Sequence, residues 1–150
     1  MNLSSRTHRR AAGFSLIELM IATSISGLLA SLTYPSFSGA IQRVHRSEAL
    51  VAMMQLQQAQ ERWRSSSSRY GTLAEVGVAS VALGRNYLLS VGEPSAEGYV
   101  AIAQATGSQA GDRLCRYMKL SVESGSPSYS SGETAAATNN AQGNRQCSNQ

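Results

Sequence analysis

The sequence predicts an α+β protein, in which a long N-terminal α-helix packs on an antiparallel sheet of three to four strands. The first supporting observation is a run from Ala11 to Gln42 that carries a single charge, Glu18. The second is a stripe of apolar residues with helical spacing between Ala49 and Trp63. The third is a set of three segments with strand character after residue 85.

The N-terminus is short, polar and basic, with Arg6, Arg9 and Arg10 and no acidic residue before Glu18. The 21 residues from Phe14 to Tyr34 are apolar or small and polar apart from Glu18, and a helix of this length spans about 30 Å, the thickness of a bilayer core. Positive charge on one side of such a segment keeps that side in the cytoplasm. This pattern predicts a single-pass membrane helix whose following domain lies outside the cytoplasm.

A secretory signal peptide is the competing interpretation of this segment, because it also has a basic start and an apolar core. Its cleavage site, however, follows the apolar core, whereas here the small residue Gly13 precedes it. Cleavage after Gly13 would remove the basic leader and leave the apolar helix on the protein. A carboxylate at membrane depth costs about 2.5–3.5 kcal/mol on insertion scales, so Glu18 is a candidate functional residue.

The helix is predicted to continue beyond Pro35 as an amphipathic segment. Gly27 and Pro35 lie within the long helix, and the proline predicts a kink because it removes a backbone donor. The residues expected to pack on the sheet are Ala49, Ala52, Met53, Leu56, Ala59 and Trp63. Those expected to face outward are Gln42, Arg46, Gln57, Gln58, Glu61 and Arg64.

The predicted strands are Asn86–Val91, Tyr99–Gln104 and Leu114–Val122, with turn-forming residues between them. From Glu123 to Gln150 the composition is dominated by Ser, Gly, Ala, Thr and Asn, which predicts a surface loop. Cys115 and Cys147 enclose 31 residues, 116–146, which include most of this region. A disulfide between them would pin the loop and contribute about 3–4 kcal/mol; two unrelated free thiols are the alternative.

The residues Gly13-Phe14-Ser15-Leu16-Ile17-Glu18 resemble the prepilin-peptidase site of type IV pilins and pseudopilins, with serine where a threonine is usual. The resemblance implies cleavage between Gly13 and Phe14, N-methylation of Phe14, and the type IV pilin fold with a disulfide-bounded C-terminal loop. It also implies that Glu18 pairs with the Phe14 amine of an adjacent subunit during assembly, and that the helix loosens between Gly27 and Pro35.

The same resemblance implies three segments. Residues 1–13 are the cleaved leader, residues 14–41 the transmembrane and fibre-core helix, and residues 42–150 the periplasmic or extracellular head. The implied partners are the prepilin peptidase, the inner-membrane pilus assembly machinery and other pilin subunits. The implied location is the inner membrane before assembly and the extracellular pilus afterwards.

The sequence predicts a structural or binding protein rather than an enzyme. It contains no nucleophile constellation, phosphate loop or metal-ligand spacing, so no cofactor is expected. His45 is expected to be solvated on the helix surface, and Asp112 and Glu123 to be isolated carboxylates. The net charge is +4, but removal of residues 1–13 leaves ten basic against nine acidic side chains, so only a local basic patch favours nucleic acid.

Three functions remain, and the first is that of a major or minor structural pilin. The second is that of a ComP-like minor pilin that receives DNA, because the spacing of Tyr99–Ala105, Gly107, Gln109, Asp112, Cys115 and Tyr117–Val122 resembles the PilE-type pilins. The third is that of a type II secretion pseudopilin, although the acidic C-terminal calcium loop of that class has only Glu123 and Glu133 as counterparts here. The candidate DNA-contact residues are Arg64, Arg69, Arg113, Arg116, Lys119 and Arg145.

Overall fold

The computed structural model describes residues 13–80 and 85–148, without the side chains of residues 32–36. The chain divides into two compact units, Met1–Ser38 and Gly39–Gln150, which are described one at a time. Apart from Gly13, the predicted leader lies outside the described residues.

The first unit contains the beginning of helix α1, which extends from Leu16 to Arg64. At its start, the backbone N–H of Leu19 donates to the C=O of Ser15 at 3.1 Å. Glu18 lies in the first turn, where the helix dipole favours a negative charge. Gly27 and Pro35 both lie within α1, and the kink expected there stays a prediction.

The second unit, called the head below, contains the remainder of α1 and a four-stranded antiparallel sheet in the order β1-β2-β3-β4. The strands are β1 Tyr87–Val91, β2 Gly98–Ala105, β3 Tyr117–Glu123 and β4 Ser126–Gly132. Two 3₁₀ turns, Gly107–Gly111 and Arg113–Cys115, connect β2 to β3, and helix α2 spans Ala141–Ser148. The predicted α+β class is confirmed.

The core of the head lies between α1 and one face of the sheet. Alternate residues of the two central strands are buried, as expected for a sheet covered on one face. The buried members are Tyr99, Ala101, Ala103, Ala105, Met118, Leu120 and Val122. From α1 come Ala49, Ala52, Met53, Leu56 and Ala59. The predicted stripe is therefore confirmed, with Trp63 half-buried at its end.

The residues after Glu123 form regular structure, which corrects the expectation of a surface loop. Ser124 and Gly125 have φ values of 50° and 80°, the pair of left-handed conformations that a two-residue hairpin turn requires. This turn leads into β4, whose pairing with β3 runs from Glu123↔Ser126 to Tyr117↔Gly132. Composition concealed β4 because Tyr129 is its one large apolar residue.

A disulfide joins Cys115 to Cys147, which confirms the predicted pairing. Both cysteines are buried, and the bond links the 3₁₀ turn before β3 to α2. Asn144 Oδ1 holds α2 further by accepting from the backbone N–H and the hydroxyl of Ser131, both at 2.8 Å. Leu114 was predicted to lie in the third strand but belongs to the 3₁₀ turn, where the N–H of Cys115 donates to the C=O of Asp112.

The buried hydroxyl of Tyr99 has no hydrogen-bond partner among the described residues, and burial raises the pKa of this phenol. We expect Tyr99→Phe to leave the stability of the head unchanged or to raise it by about 1 kcal/mol, because an unpaired buried hydroxyl is unfavourable. Urea unfolding of the full chain in a neutral detergent, followed by Trp63 fluorescence, measures the change.

Tyr87→Phe is the matched control for this prediction. Tyr87 Oη donates to the C=O of Cys115 at 3.0 Å and accepts from Gln109 Nε2 at 3.2 Å. Removal of this paired hydroxyl is expected to cost about 1–2 kcal/mol. Equal losses in the two variants would contradict the prediction.

Candidate functional site

The first unit exposes the apolar side chains of α1. Phe14 is 83% exposed, and the large apolar side chains from Leu16 to Leu29 are each more than half exposed. A continuous apolar surface of this kind marks a protein–protein or membrane interaction site. Between these side chains, the hydroxyls of Thr23, Ser24 and Ser26 donate to C=O groups three or four residues earlier. The main electrostatic cost of moving this surface into an apolar environment therefore comes from Glu18.

The predicted cleavage residues Gly13 and Phe14 precede α1, outside regular secondary structure. Glu18 follows Phe14 by four residues, and its side chain is exposed. Among the described residues, no helix combines the length and the apolar character needed to cross a membrane. The membrane span expected for Phe14–Tyr34, the cleavage and the N-methylation stay predictions.

Two of the six candidate DNA-contact residues lie together at the end of α1. The guanidinium carbon of Arg64 lies 4.8 Å from the centroid of the Tyr70 ring, a cation–π distance. Arg69 forms an exposed ion pair with Glu75 at 2.6 Å. The Arg69 hydrogen bond, followed by hydrogen bonds from Thr72, lowers the pKa of Glu75 to about 2. Arg64 Nη1 also donates to the C=O of Ser68 at 2.6 Å. Among the described residues, Arg69 of this group has a carboxylate partner and Arg64 has none.

The other four candidates lie around β3 and α2. Arg113 and Arg116 share the Glu133 carboxylate, at 2.8 Å and 3.8 Å. The Arg113 hydrogen bond is the main cause of the lowered pKa of Glu133. Lys119 lies on the face of β3 opposite the core, between Ile102 of β2 and Ser130 of β4, and Arg145 lies in α2.

The two groups lie toward opposite ends of the sheet. The N–H of Tyr70 donates to the C=O of Ser95 in the β1–β2 connection, close to the end of β3, whereas Arg116 directly precedes the start of β3. The seven residues of β3 span about 20 Å at about 3.4 Å per residue. The structure therefore brings Arg64 near Arg69 and Arg113 near Arg116, but it does not collect all six residues into one cluster.

A buried polar network that includes Asp112, the residue before Arg113, corrects three expectations. Arg46, expected to face outward, pairs with Asp112, expected to be isolated. Nε and Nη2 of Arg46 donate to Oδ2 and Oδ1 of Asp112 at 2.6 and 2.9 Å, and the two side chains are only 15% and 3% exposed. His45 is half-buried rather than solvated, and its Nδ1 lies 3.0 Å from Gln109 Oε1.

Sequence reasoning missed this network because its members lie far apart along the chain. Gln109 Nε2 also donates to Asp112 Oδ2 at 3.0 Å. Since Gln109 contacts His45 and Asp112 contacts Arg46, these two side chains connect the segment of the 3₁₀ turns to α1. The pairing joins residues 66 positions apart, and no periodicity in the chain marks such a pair. The one local signal is that Arg46 lies next to the apolar stripe.

The exposed apolar helix, the helix-on-sheet head and the disulfide define a type IV pilin-like subunit. A family model described as "Prokaryotic N-terminal methylation motif" matches residues 8–34. A second, described as "Type IV minor pilin ComP, DNA uptake sequence receptor", matches residues 35–119. Because the second match covers more than half of the chain, the chain belongs to the ComP family of type IV minor pilins.

Individual relatives come from both pilus and secretion systems. The chain is 41% identical over 76 residues to the type IV major pilin protein PilA of Myxococcus xanthus, a match covering 50% of this chain and 34% of PilA. It is 33% identical over 64 residues to the type II secretion system core protein G of Aeromonas hydrophila, covering 43% of this chain and 45% of that protein. The corresponding protein of Dickeya chrysanthemi has the same identity, with 42% of it covered. The chain thus spans less than half the length of each of these relatives.

Proposed function

We propose that this chain is a minor subunit of a type IV pilus. Cleavage between Gly13 and Phe14 by a prepilin peptidase, with N-methylation of Phe14, produces the mature form. Residues 14–41 anchor the precursor in the inner membrane with the head in the periplasm, and the assembly machinery then transfers the subunit into the extracellular pilus. The role is structural and not enzymatic.

The observation that carries this proposal is the exposed apolar surface of α1, which lies within the segment that the methylation-motif model matches, residues 8–34. Full burial of a Leu, Ile, Phe or Met side chain contributes about 1.5–3 kcal/mol. Packing of the α1 segments of several subunits against one another would bury many such side chains at once. Assembly is thus driven by burial of apolar surface whose exposure to water is unfavourable.

Glu18→Ala is expected to leave processing largely intact and to impair incorporation into filaments. In the proposed assembly, the carboxylate pairs with the Phe14 amine of a neighbouring subunit, and the variant leaves that amine without its partner in an apolar fibre core. Mass spectrometry of the N-terminal peptide reports processing, and the amount of this chain in sheared fibres reports incorporation. Glu61→Ala removes an exposed carboxylate from the head portion of α1 and is the control. Normal incorporation of Glu18→Ala would refute the proposed pairing.

We also propose that the head binds duplex DNA, as the description of the ComP family suggests. The basic side chains around β3 and at the end of α1 would contact the phosphate backbone. Exposed ion pairs contribute only about 0–1 kcal/mol, so Arg69 and Arg113 can exchange Glu75 and Glu133 for phosphates at little cost. The basic side chains are distributed over about 20 Å. This distribution favours several contacts along a DNA backbone over one compact base-binding pocket.

DNA binding is tested with the full chain in neutral detergent, by fluorescence anisotropy of a labelled duplex between about 50 and 200 mM salt. A specific receptor shows a steep salt dependence and weaker binding to a scrambled duplex of the same composition. Lys119→Gln is expected to weaken binding and to lower the slope of log K against log salt by about one, because one phosphate contact is lost.

Arg62→Gln is the control for this measurement. It removes the same charge from an exposed position of α1 that is not a candidate contact and that lies about 200° around the helix from Arg64, at 3.6 residues per turn, and it should leave DNA affinity unchanged. Absence of binding at low salt would eliminate the receptor role. Equal losses in Lys119→Gln and Arg62→Gln would eliminate the proposed contact surface.

The second candidate function is that of a type II secretion pseudopilin, which the identity to core protein G favours. The two functions differ in where the processed chain is found. A pilus subunit is recovered in fibres sheared from cells, whereas a processed chain confined to the membrane would favour the pseudopilin.

A further inference from the structure

A small cavity of about 80 Å³ lies between α1 and α2 in the head. Its lining residues are Arg43, Arg46, Ser47, Leu50, Gln146 and Cys147. This lining contains two guanidinium groups and no acidic side chain, although the partner of Arg46, Asp112, lies behind it. The cavity is separate from the candidate DNA-contact residues, none of which lines it.

The Arg46 guanidinium is held in place on one side of the cavity. Its Nε and Nη2 donate to Asp112, and its Nη1 donates to the backbone C=O of Gln146 in α2 at 3.1 Å. These bonds use three of its five N–H groups. The remaining donors have a fixed direction, so a ligand that accepts from them does not have to immobilise a mobile side chain.

Arg43 contributes the uncompensated charge of the cavity. Its Nε donates to the C=O of Gly39 at 3.4 Å. Arg43 is exposed to solvent, and within the described part of the chain its two terminal nitrogens have no protein hydrogen-bond partner. Since Asp112 offsets the charge of Arg46, the cavity carries a net charge of about +1 from Arg43. A positive, partly enclosed space with unsatisfied guanidinium donors favours an oxyanion.

The size of the cavity limits the ligand. A volume of about 80 Å³ lies well below the roughly 300 Å³ at which pockets for drug-sized ligands begin. A single tetrahedral oxyanion group matches this volume better than a nucleotide or a sugar does. The Ser47 hydroxyl donates to the backbone C=O of Arg43 at 3.1 Å, so the arginines are the main donors available in the cavity. We propose that Arg43 and Arg46 form a binding site for one phosphate group, supplied by a phospholipid headgroup or by free phosphate.

Titration of the full chain in a neutral detergent with inorganic phosphate, followed by ³¹P line broadening at constant ionic strength, tests the site. Phosphate should bind the wild type, and Arg43→Gln should weaken this binding about tenfold or more, the factor expected for a hydrogen bond to a charged group. Arg43→Lys keeps the charge without the planar fork and should recover only part of the affinity. Arg62→Gln, which removes an exposed arginine of the same helix outside the cavity, should bind phosphate like the wild type.

A second arm identifies the source of the phosphate. Micelles are doped with phosphatidylglycerol or with diacylglycerol of the same acyl chains, so that only the former brings a phosphate. Competition by phosphatidylglycerol alone assigns the site to a lipid headgroup, and competition by neither lipid assigns it to free phosphate. The proposal fails if the ³¹P line of phosphate broadens no more with the wild type than with Arg43→Gln. It also fails if Arg62→Gln loses as much affinity for phosphate as Arg43→Gln does. Unfolding of each variant, measured in the absence of phosphate, shows whether the substitution has changed the stability of the head.

Discussion

Arg46→Met is expected to destabilise the head by about 3–5 kcal/mol, because it leaves the Asp112 carboxylate buried without its counter-charge. The Asp112 side chain is 3% exposed, and Arg46 supplies two of its hydrogen bonds, at 2.6 and 2.9 Å. The third hydrogen bond to this carboxylate comes from Gln109 Nε2, an uncharged donor. Urea unfolding of the full chain in neutral detergent, followed by fluorescence of the single tryptophan, Trp63, reports the stability of the head.

Two further variants make this expectation specific. Arg69→Met breaks an ion pair whose side chains are 47% and 32% exposed, and it should cost no more than about 1 kcal/mol. The double variant Arg46→Met with Asp112→Asn removes both charges and should recover much of the loss, since a buried pair often contributes little net stability. A loss below about 1 kcal/mol for Arg46→Met would mean that water reaches Asp112.

Replacement of both cysteines by serine is expected to cost about 3–4 kcal/mol, the loop-closure contribution for a separation of 32 residues. The loss should be concentrated in α2. Only Gly143 and Cys147 of that helix are buried, so it has almost no apolar face with which to remain docked. Hydrogen exchange of the oxidised wild type and the double variant separates a local loss from a global one.

The controls for the disulfide follow from its surroundings. Amides of α2 should lose protection to a much greater extent than those of β2 and β3, whose ladder does not depend on the bond. Asn144→Ala removes the side chain that accepts from Ser131 but keeps the disulfide, and it should cost about 1–3 kcal/mol. Uniform loss of protection across the sheet would show that the disulfide stabilises the whole head.

These two expectations bear on how the head could bind a partner. Arg46 and the disulfide attach the 3₁₀ turns and α2 to the rest of the head, and Arg113 and Arg145 lie in these segments. This part of the proposed DNA surface therefore rests on elements with few apolar contacts of their own. Its geometry depends on a buried ion pair and a covalent bond together with side-chain hydrogen bonds.

Local patterns in the sequence were sufficient for a large part of the fold. The spacing of Ala49, Met53 and Leu56 predicted the buried stripe of α1, because helical periodicity depends only on neighbouring turns. The three segments predicted as strands likewise overlap β1, β2 and β3. The N-terminal motif predicted the pilin class, because Gly13, Phe14 and Glu18 lie within six consecutive residues and form a local pattern.

Apart from the predicted Cys115–Cys147 disulfide, contacts between residues distant along the chain were decided by the tertiary structure. It converted the Ser-rich tail into β4 and α2, paired Arg46 with Asp112, and separated the basic residues into two groups at opposite ends of β3. It also placed Arg43 beside Gln146 to form the small cavity. The physical reason is that a hydrogen bond or an ion pair depends on distance in space, whereas a sequence pattern records only distance along the chain.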